Sequence, residues 1–211
     1  MADRGVAITG LGVVTAAGVG IDPLWEALMS GRSCLREISL SDPSGSPSRI
    51  GGQIDDFSAR KYVPKNYRKA VKLMARDIEI AVAASYLAAE DASLATRAGG
   101  ADPTTFDSRR FGCNIGAGLI NADLDELGEA ATTAVVDGGF SLKEWGRKGM
   151  ENLTPLWLLK YLPNMLACHV TIIHGCEGPS NTVTCGDASG HLAIGEAGRW
   201  ILRSDADAAL A

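Results

Sequence analysis

The apolar positions of this 211-residue chain follow two different periods. Short apolar runs rich in β-branched residues are typical of buried strands, whereas apolar residues three and four positions apart are typical of helices. The predicted strands cover residues 6–14, 110–116, 180–184 and 205–211, and the predicted helices cover residues 22–30, 65–92, 154–167 and 189–203. Residues 169–173 fit either type, and residues 120–150 suggest a short helix among loops. Alternating strands and helices predict a layered α/β fold.

Two of the predicted helices have more specific signals. Asp22 is suited to cap the first helix, and Pro23 is suited to its first turn. The helix over residues 65–92 has an apolar stripe at helical spacing, with alanines over much of the remaining face. The stripe consists of Val71, Met74, Ile78, Val82 and Leu87.

Charge and cysteine usage narrow the class of protein. A net charge of −5 argues against general nucleic-acid binding, which needs clustered positive charge. No apolar run reaches the roughly 18 residues that a membrane span needs, and the N-terminus does not have the pattern of a signal peptide. An odd number of scattered cysteines indicates reduced thiols, and we therefore expect a cytoplasmic protein. The cysteines are Cys34, Cys113, Cys168, Cys176 and Cys185.

We expect neither a metal nor a cofactor. The sequence places two cysteines and two histidines close together, at Cys168, His169, His174 and Cys176. They lack the paired C-x-x-C spacing of structural zinc sites. The sequence therefore predicts that these residues are not metal ligands.

Five separated segments carry a shared pattern: Val6-Ala-Ile-Thr-Gly-Leu-Gly-Val-Val-Thr, Met74-Ala-Arg-Asp, Gly178-Pro-Ser-Asn-Thr-Val-Thr, Ala188-Ser-Gly and Asp205-Ala-Asp-Ala-Ala-Leu-Ala. In this order they resemble the β-ketoacyl synthases, the condensing enzymes of fatty-acid and polyketide synthesis. The resemblance implies a thiolase-like layered αβαβα fold, with residues 1–211 as its N-terminal half in one domain. It also implies a dimer, and it places the family's two active-site histidines, its lysine and its second oxyanion-hole amide in the other half. His169, His174 and His191 do not match those histidine motifs.

The resemblance locates a candidate catalytic position. In the family a strand ends in a sharp turn, and a cysteine nucleophile begins the next helix, whose amides favour the thiolate. Three residues, Cys185, Gly186 and Asp187, lie between the segment that ends at residue 184 and the segment Ala188-Ser-Gly. The third of them occupies the nucleophile's position. A carboxylate there can cap the helix, but an acyl-aspartate is a mixed anhydride, formed uphill from a thioester. We therefore expect no ordinary condensation by this chain.

Two alternatives at this turn stay open. Cys185 is either a displaced nucleophile or a small buried thiol, and the second is the more common role of such a residue. Asp187 and His191 are four positions apart, so they can form a carboxylate–imidazole pair for proton transfer. Otherwise Asp187 caps the helix and His191 packs beside it.

A basic segment contrasts with the acidic chain. Seven cations fall within 17 residues, at Arg60, Lys61, Lys65, Arg68, Lys69, Lys72 and Arg76. Lys65, Arg68, Lys69 and Lys72 share a face if the segment is helical. Similar synthases use basic residues here to bind acyl carrier protein, which is acidic, and a solvated helix face is the alternative.

The resemblance also implies a partner surface. The strand before the turn, residues 181–184, is expected near a dimer axis. Leu119, which follows Gly116-Ala-Gly118, is expected near a partner's acyl pocket or packed in this chain's own core. An incomplete α/β domain also exposes a sheet edge and an apolar face that need covering.

Three functions follow from these observations. The first is a non-catalytic partner of an active synthase, resembling a chain-length factor. The second is an active 3-oxoacyl-[acyl-carrier-protein] synthase, a malonyl decarboxylase or an acyltransferase, completed by another chain or by a C-terminal continuation. The third is an isolated interaction module.

Overall fold

The computed structural model of the protein describes residues 5–211. The α-helices of that range are α1 Ile21–Met29, α2 Arg76–Asp91, α3 Leu124–Thr133, α4 Leu142–Arg147, α5 Met165–His174 and α6 Ser189–Leu202. The strands are β1 Val14–Thr15, β2 Gly18–Val19, β3 Leu35–Glu37, β4 Ile50–Gly52, β5 Phe111–Gly116, β6 Val135–Val136, β7 Gly139–Phe140, β8 Ser180–Val183 and β9 Ala208–Leu210. β1 with β2, β3 with β4 and β6 with β7 form short antiparallel hairpins.

The central sheet has three parallel strands in the order β8-β5-β9. Cys113 of β5 lies opposite Ser180 of β8, and Phe111 of β5 lies opposite Ala208 of β9. Each neighbour of β5 is reached through a crossover that contains a helix, as parallel strands require. β8 is therefore an edge strand, and the turn that follows it leads directly into α6.

The two faces of β5 contact different helices. Phe111, Cys113 and Ile115 are buried in one core with residues of α2 and α5. The alternate residues Gly112 and Asn114 face α6, since Gly112 lies beside Trp200 and the Asn114 side chain reaches the Ala193 carbonyl. Alternation along a strand thus separates α2 and α5 from α6 and produces three layers, helix, sheet and helix.

The predicted strand over residues 6–14 is wrong for residues 6–13, since the first strand begins at Val14. Gly10 and Gly12 instead lie against α2, where a Cβ on Gly12 would come within 1.8 Å of the Ala84 carbonyl oxygen. The Leu11 amide donates to the Asp91 side chain across 2.8 Å. Residues 6–13 therefore pack their backbone closely against α2 and do not pair with a strand, and glycine permits this close approach.

The predicted helix over residues 65–92 is correct only from Arg76 onward. Residues Lys65–Tyr67 and Ala70–Leu73 form separate 3₁₀ turns. Met74 is extended, with ψ 130°, and both Met74 and Ala75 are buried. Burying these two side chains requires a break in the helix, so tertiary packing overrides the local helical pattern.

The predicted helix over residues 154–167 is also displaced. A 3₁₀ turn covers Trp157–Lys160, and α5 begins only at Met165, after Pro163. Proline disfavours helical backbone at the residue before it, which accounts for the late start. Residues 169–173, which fitted either type, are helical.

The predicted cap at Asp22 is wrong as well. Gly20 precedes α1, and Asp22 lies inside its first turn, where a negative charge still favours the helix dipole. The strands at 110–116, 180–184 and 205–211 and the helices at 22–30 and 189–203 are confirmed as elements. In the described part of the chain, no helix combines the length and apolar character needed to cross a membrane.

Candidate functional site

The turn between β8 and α6 is the candidate site. Its residues are Cys185, Gly186, Asp187 and Ala188, and the Ala188 amide donates to the Cys185 carbonyl across 3.2 Å. Gly186 has φ +55°, which places it in the left-handed region. Glycine takes this conformation without the steric cost that a side chain brings, so the sharp turn depends on it.

The Ser189 hydroxyl fixes this turn. Its oxygen accepts a hydrogen bond from the Cys185 amide at 2.8 Å, and it donates to the Gly186 carbonyl at 2.6 Å. Ser189 is buried and is the first residue of α6. Sequence reasoning missed this role, although a serine at the start of a helix is a familiar capping signal.

Asp187 lies exposed on the turn and does not cap α6. The cap position belongs to Ala188, which makes no side-chain capping bond. Within residues 5–211, the Asp187 carboxylate has no side-chain hydrogen bond or ion pair with another residue. The predicted cap is wrong because the turn places Asp187 one residue too early in the chain.

Neither arrangement predicted for Asp187 and His191 is present. His191 is exposed, so it is not packed, and no hydrogen bond joins the two side chains among the described residues. Cys185 is exposed, so its prediction as a buried thiol is wrong. Its role as a displaced nucleophile stays a prediction.

Close packing against β5 sets the position of α6. A Cβ on Gly116 would come within 2.5 Å of the Gly190 amide nitrogen, so only glycine fits at the end of β5. The Asn114 side chain is fully buried and donates from Nδ2 to the Ala193 carbonyl at 2.9 Å. These contacts fix the first turns of α6, and with them the turn that carries Asp187.

The two buried histidines of α5 each bond to a hydroxyl. His169 Nδ1 lies 2.9 Å from the Tyr67 hydroxyl, and His174 Nδ1 lies 3.0 Å from the Thr96 hydroxyl. Burial lowers the pKa of both imidazoles, that of His174 to about 4. Within residues 5–211, no group of three or more His, Cys, Asp or Glu side chains is arranged to bind a metal.

The basic segment presents its cations to solvent. Lys65, Arg68, Lys69 and Lys72 are exposed, and none of them forms an ion pair in the part of the chain that the structure describes. Arg76 differs, because it donates to the Ile54 and Phe57 carbonyls and pairs with Glu79. The predicted helical face is wrong, because Lys65 and Lys72 lie in two separate 3₁₀ turns and Arg68 and Lys69 lie between those turns.

The proposed partner surface is exposed on this chain. The Leu119 side chain is 82% exposed, so the alternative that it packs in this chain's core is wrong. Among residues 5–211, β8 pairs only with β5, so its outer edge is unpaired. An exposed large apolar residue and an open strand edge are both typical of surfaces that bind another chain.

The described residues form three layers, namely helices, a parallel sheet and a helix. These layers, with a glycine-dependent turn between strand and helix at the edge of the sheet, define one half of a thiolase-like fold. The profile of the family "Beta-ketoacyl synthase, N-terminal domain" matches residues 3–211, and the chain belongs to this family. The predicted fold class and resemblance are thereby confirmed.

Relatives include fatty-acid and polyketide proteins. The chain is 28% identical to 3-oxoacyl-[acyl-carrier-protein] synthase 2 of Vibrio harveyi, over 100% of this chain and 45% of that protein. It is 31% identical to the actinorhodin polyketide putative beta-ketoacyl synthase 1 of Streptomyces coelicolor, over 97% of this chain and 40% of that protein. The chain thus spans less than half the length of these relatives.

Solved structures show the same fold. The ishigamide ketosynthase/chain length factor superposes with a TM-score of 0.70 at 21% identity, covering 95% of this chain and 44% of that one. A Beta-ketoacyl synthase from Burkholderia phymatum superposes with a TM-score of 0.69 at 25% identity, covering 96% and 45%. An acyl-carrier protein complex with its ketosynthase, AntDE:AntF, superposes with a TM-score of 0.65 at 18% identity, covering 96% and 48%.

Proposed function

We propose that this chain is a non-catalytic partner subunit of fatty-acid or polyketide synthesis, resembling a chain-length factor. The observation that carries the proposal is the exposed Asp187 on the turn that leads into α6, which the family motifs on either side predict to be the nucleophile's position. Nucleophilic acyl transfer from a carrier thioester favours a sulfur nucleophile activated by its surroundings. A carboxylate in that place forms a more reactive acyl compound than the thioester it attacks, so acylation is uphill.

Surface features support a partner role. Leu119 and the outer edge of β8 are available to a second chain, and a ketosynthase/chain length factor has the same fold as this chain. The proposed partner is a ketosynthase with an intact cysteine, or a second copy of this chain. Leu119 would then help to shape the partner's acyl pocket.

The exposure of Cys185 favours a second candidate. An accessible thiol two residues before Asp187 provides a nucleophile on the same turn. The chain would then be a working 3-oxoacyl-[acyl-carrier-protein] synthase, malonyl decarboxylase or acyltransferase, with the remaining catalytic groups supplied by another chain or by a C-terminal continuation. An interaction module without acyl chemistry is the third candidate.

Intact-protein mass spectrometry after incubation with acyl-carrier thioesters separates these functions. The purified chain is expected to remain unlabelled, because Asp187 is acylated only uphill and Cys185 lies two residues before the predicted nucleophile position. In a mixture with a candidate synthase, the chain is expected to change the length of the product. The Leu119→Ala variant should then shift the product length again.

The Cys185→Ser variant is the matched control. A covalent acyl adduct on the natural chain that disappears in Cys185→Ser would overturn the non-catalytic role and support the second candidate. An unlabelled chain that neither binds acyl carrier protein nor alters any product would leave only the interaction module.

Docking of acyl carrier protein is a separate part of the proposal. Lys65, Arg68, Lys69 and Lys72 are solvent-exposed cations on a chain of net charge −5, and carrier proteins are acidic. Complementary charge orients two proteins and raises their association rate. The acyl-carrier protein complex with its ketosynthase among the similar folds is consistent with such a contact.

Charge reversal tests this docking. Replacing Lys65, Arg68 and Lys69 by Glu is expected to weaken carrier binding at least about tenfold at low salt, measured by fluorescence anisotropy. The control replaces three other exposed arginines, Arg32, Arg49 and Arg109, by Glu, which changes the net charge equally. Equal loss in both triple variants would mean that overall charge, and not a docking segment, governs binding.

A further inference from the structure

Tyr67 lies inside the basic segment yet points away from its cations. Its ring is half-buried, and its hydroxyl lies 2.9 Å from His169 Nδ1 on α5. The two rings meet edge to face, with centroids 5.9 Å apart and an interplanar angle of 75°. Tyr67 is flanked by Lys65 on one side and by Arg68 and Lys69 on the other.

The Tyr67–His169 contact is a neutral hydrogen bond at physiological pH. Burial lowers the pKa of His169, so the imidazole is uncharged. Burial also raises the pKa of Tyr67, so the phenol keeps its proton. His169 Nε2 is buried without a partner in the described structure, which leaves Tyr67 as the polar contact of this ring. Losing that contact would leave the imidazole buried and unsatisfied, and this is costly.

The remaining backbone contacts of the segment are local. The Tyr67 amide bonds to the Pro64 carbonyl, and the Lys72 amide bonds to the Lys69 carbonyl. Such 3₁₀ turns are short and have poorer hydrogen-bond geometry than an α-helix. The Tyr67 hydroxyl joins the segment to a residue 102 positions away, on a helix packed against the central sheet.

We propose that Tyr67 is a positioning residue for carrier docking, whose hydrogen bond to His169 fixes its 3₁₀ turn and thereby the directions of Lys65, Arg68 and Lys69. The inference rests on the proposed docking function. Without this bond, the described structure holds the turn only by its local backbone bond and by apolar contacts, and its cations sample more directions. Binding of an acidic partner must then order these side chains, which costs free energy. The natural protein avoids this cost because its turn is already ordered before binding.

The Tyr67→Phe variant tests the positioning role. It keeps the ring and removes the hydroxyl, and we expect acyl carrier protein to bind about threefold to tenfold more weakly, the factor that one hydrogen bond represents. Hydrogen–deuterium exchange of residues 65–73 in the free variant should rise. Tyr62→Phe is the matched control, because the Tyr62 ring contacts Phe57 and Tyr86 and its hydroxyl has no hydrogen bond among the described residues.

Variants of His169 distinguish loss of the hydrogen bond from general misfolding of the chain. His169→Leu should reproduce the weaker binding, whereas His169→Asn keeps a polar atom near the position of Nδ1 and should restore affinity toward the natural level. Unchanged carrier affinity in Tyr67→Phe, with weakened affinity in the triple Glu variant, overturns the positioning role but leaves docking intact. Unchanged affinity in the triple Glu variant overturns docking, and the positioning role with it.

Discussion

At the scale of single residues, three buried polar side chains each make a long-range or turn-closing bond. Ser189 closes the turn before α6, Asn114 joins β5 to α6, and His174 joins α5 to Thr96. Asn114 Oδ1 and His174 Nε2 have no partner in the described structure. Buried polar groups cost free energy unless they are satisfied, so these residues make the core sensitive to protonation and substitution.

His174 predicts a pH dependence of stability. Burial lowers its pKa from 6.5 to about 4, so the unfolded chain binds a proton more readily than the folded chain. The neutral imidazole makes its full contribution to the free energy of unfolding above about pH 6.5, and this contribution is lost as the pH falls toward 4. The loss in the free energy of unfolding is about 3 kcal/mol. Urea denaturation at a series of pH values measures it.

Two variants isolate the contribution of His174. His174→Gln removes the titrating group and should give a shallower fall in the free energy of unfolding between pH 6.5 and 4. His191→Gln changes an exposed imidazole and should keep the natural slope. Equal slopes in the two variants would show that other groups cause the acid sensitivity.

Part of the site could be read from the sequence at this scale. The motifs on either side of residues 185–187 predict Asp187 at the family's nucleophile position, because this alignment uses only residue order, and the placement stays a prediction. The missing cap and the exposure of Cys185 could not be read in the same way. They depend on the backbone torsions of Gly186 and Ala188, which place Asp187 before the helix begins.

At the scale of elements, the backbones of β5 and α6 are packed so closely that an additional side-chain atom does not fit between them. Gly116 approaches the backbone of Ser189 and Gly190, where a Cβ would lie 2.5 Å from both the Ser189 carbonyl carbon and the Gly190 amide nitrogen. Backbone atoms in two packed elements cannot move aside as a flexible side chain can. The strand and the helix must therefore separate to admit even a methyl group.

Gly116→Ala is expected to lower the free energy of unfolding by about 1–3 kcal/mol, the usual cost of overpacking. Thermal and urea denaturation measure this loss. Gly118→Ala is the matched control, because an added Cβ there has no described atom within 4 Å beyond its chain neighbours, and it should be nearly neutral. A stable Gly116→Ala variant would mean that α6 shifts easily along the sheet.

The elements that the sequence predicted correctly are those whose own pattern determines their burial. β5 alternates between two packed faces. α6 is a helix as predicted and buries Ala193 and Trp200, although its larger apolar side chains at 192 and 194 are exposed. Prediction failed at residues 6–13 and 65–75, where the backbone follows contacts with distant residues. Gly10 and Gly12 lie against α2, and Met74 bends the chain into the core.

At the scale of the whole molecule, large apolar side chains remain exposed on several elements. Trp25, Leu28 and Met29 are exposed on α1, and Phe140 and Leu142 are exposed near α4. Exposed apolar side chains that lie together are typical of sites that bind another protein segment, and Trp25, Leu28 and Met29 share one short helix. Together with Leu119, these side chains add to the exposed apolar surface on which the proposal of a partner chain rests.

The order of strands in the sheet has a consequence for synthesis on the ribosome. The middle strand β5 is made first, and the residues it pairs with follow about 70 positions later in β8 and about 100 positions later in β9. A growing chain therefore holds an unpaired apolar strand while about 70 further residues are made, and contacts so distant in sequence form slowly. Chaperones have their longest opportunity to bind the nascent protein during that interval, before Ser180 leaves the exit tunnel.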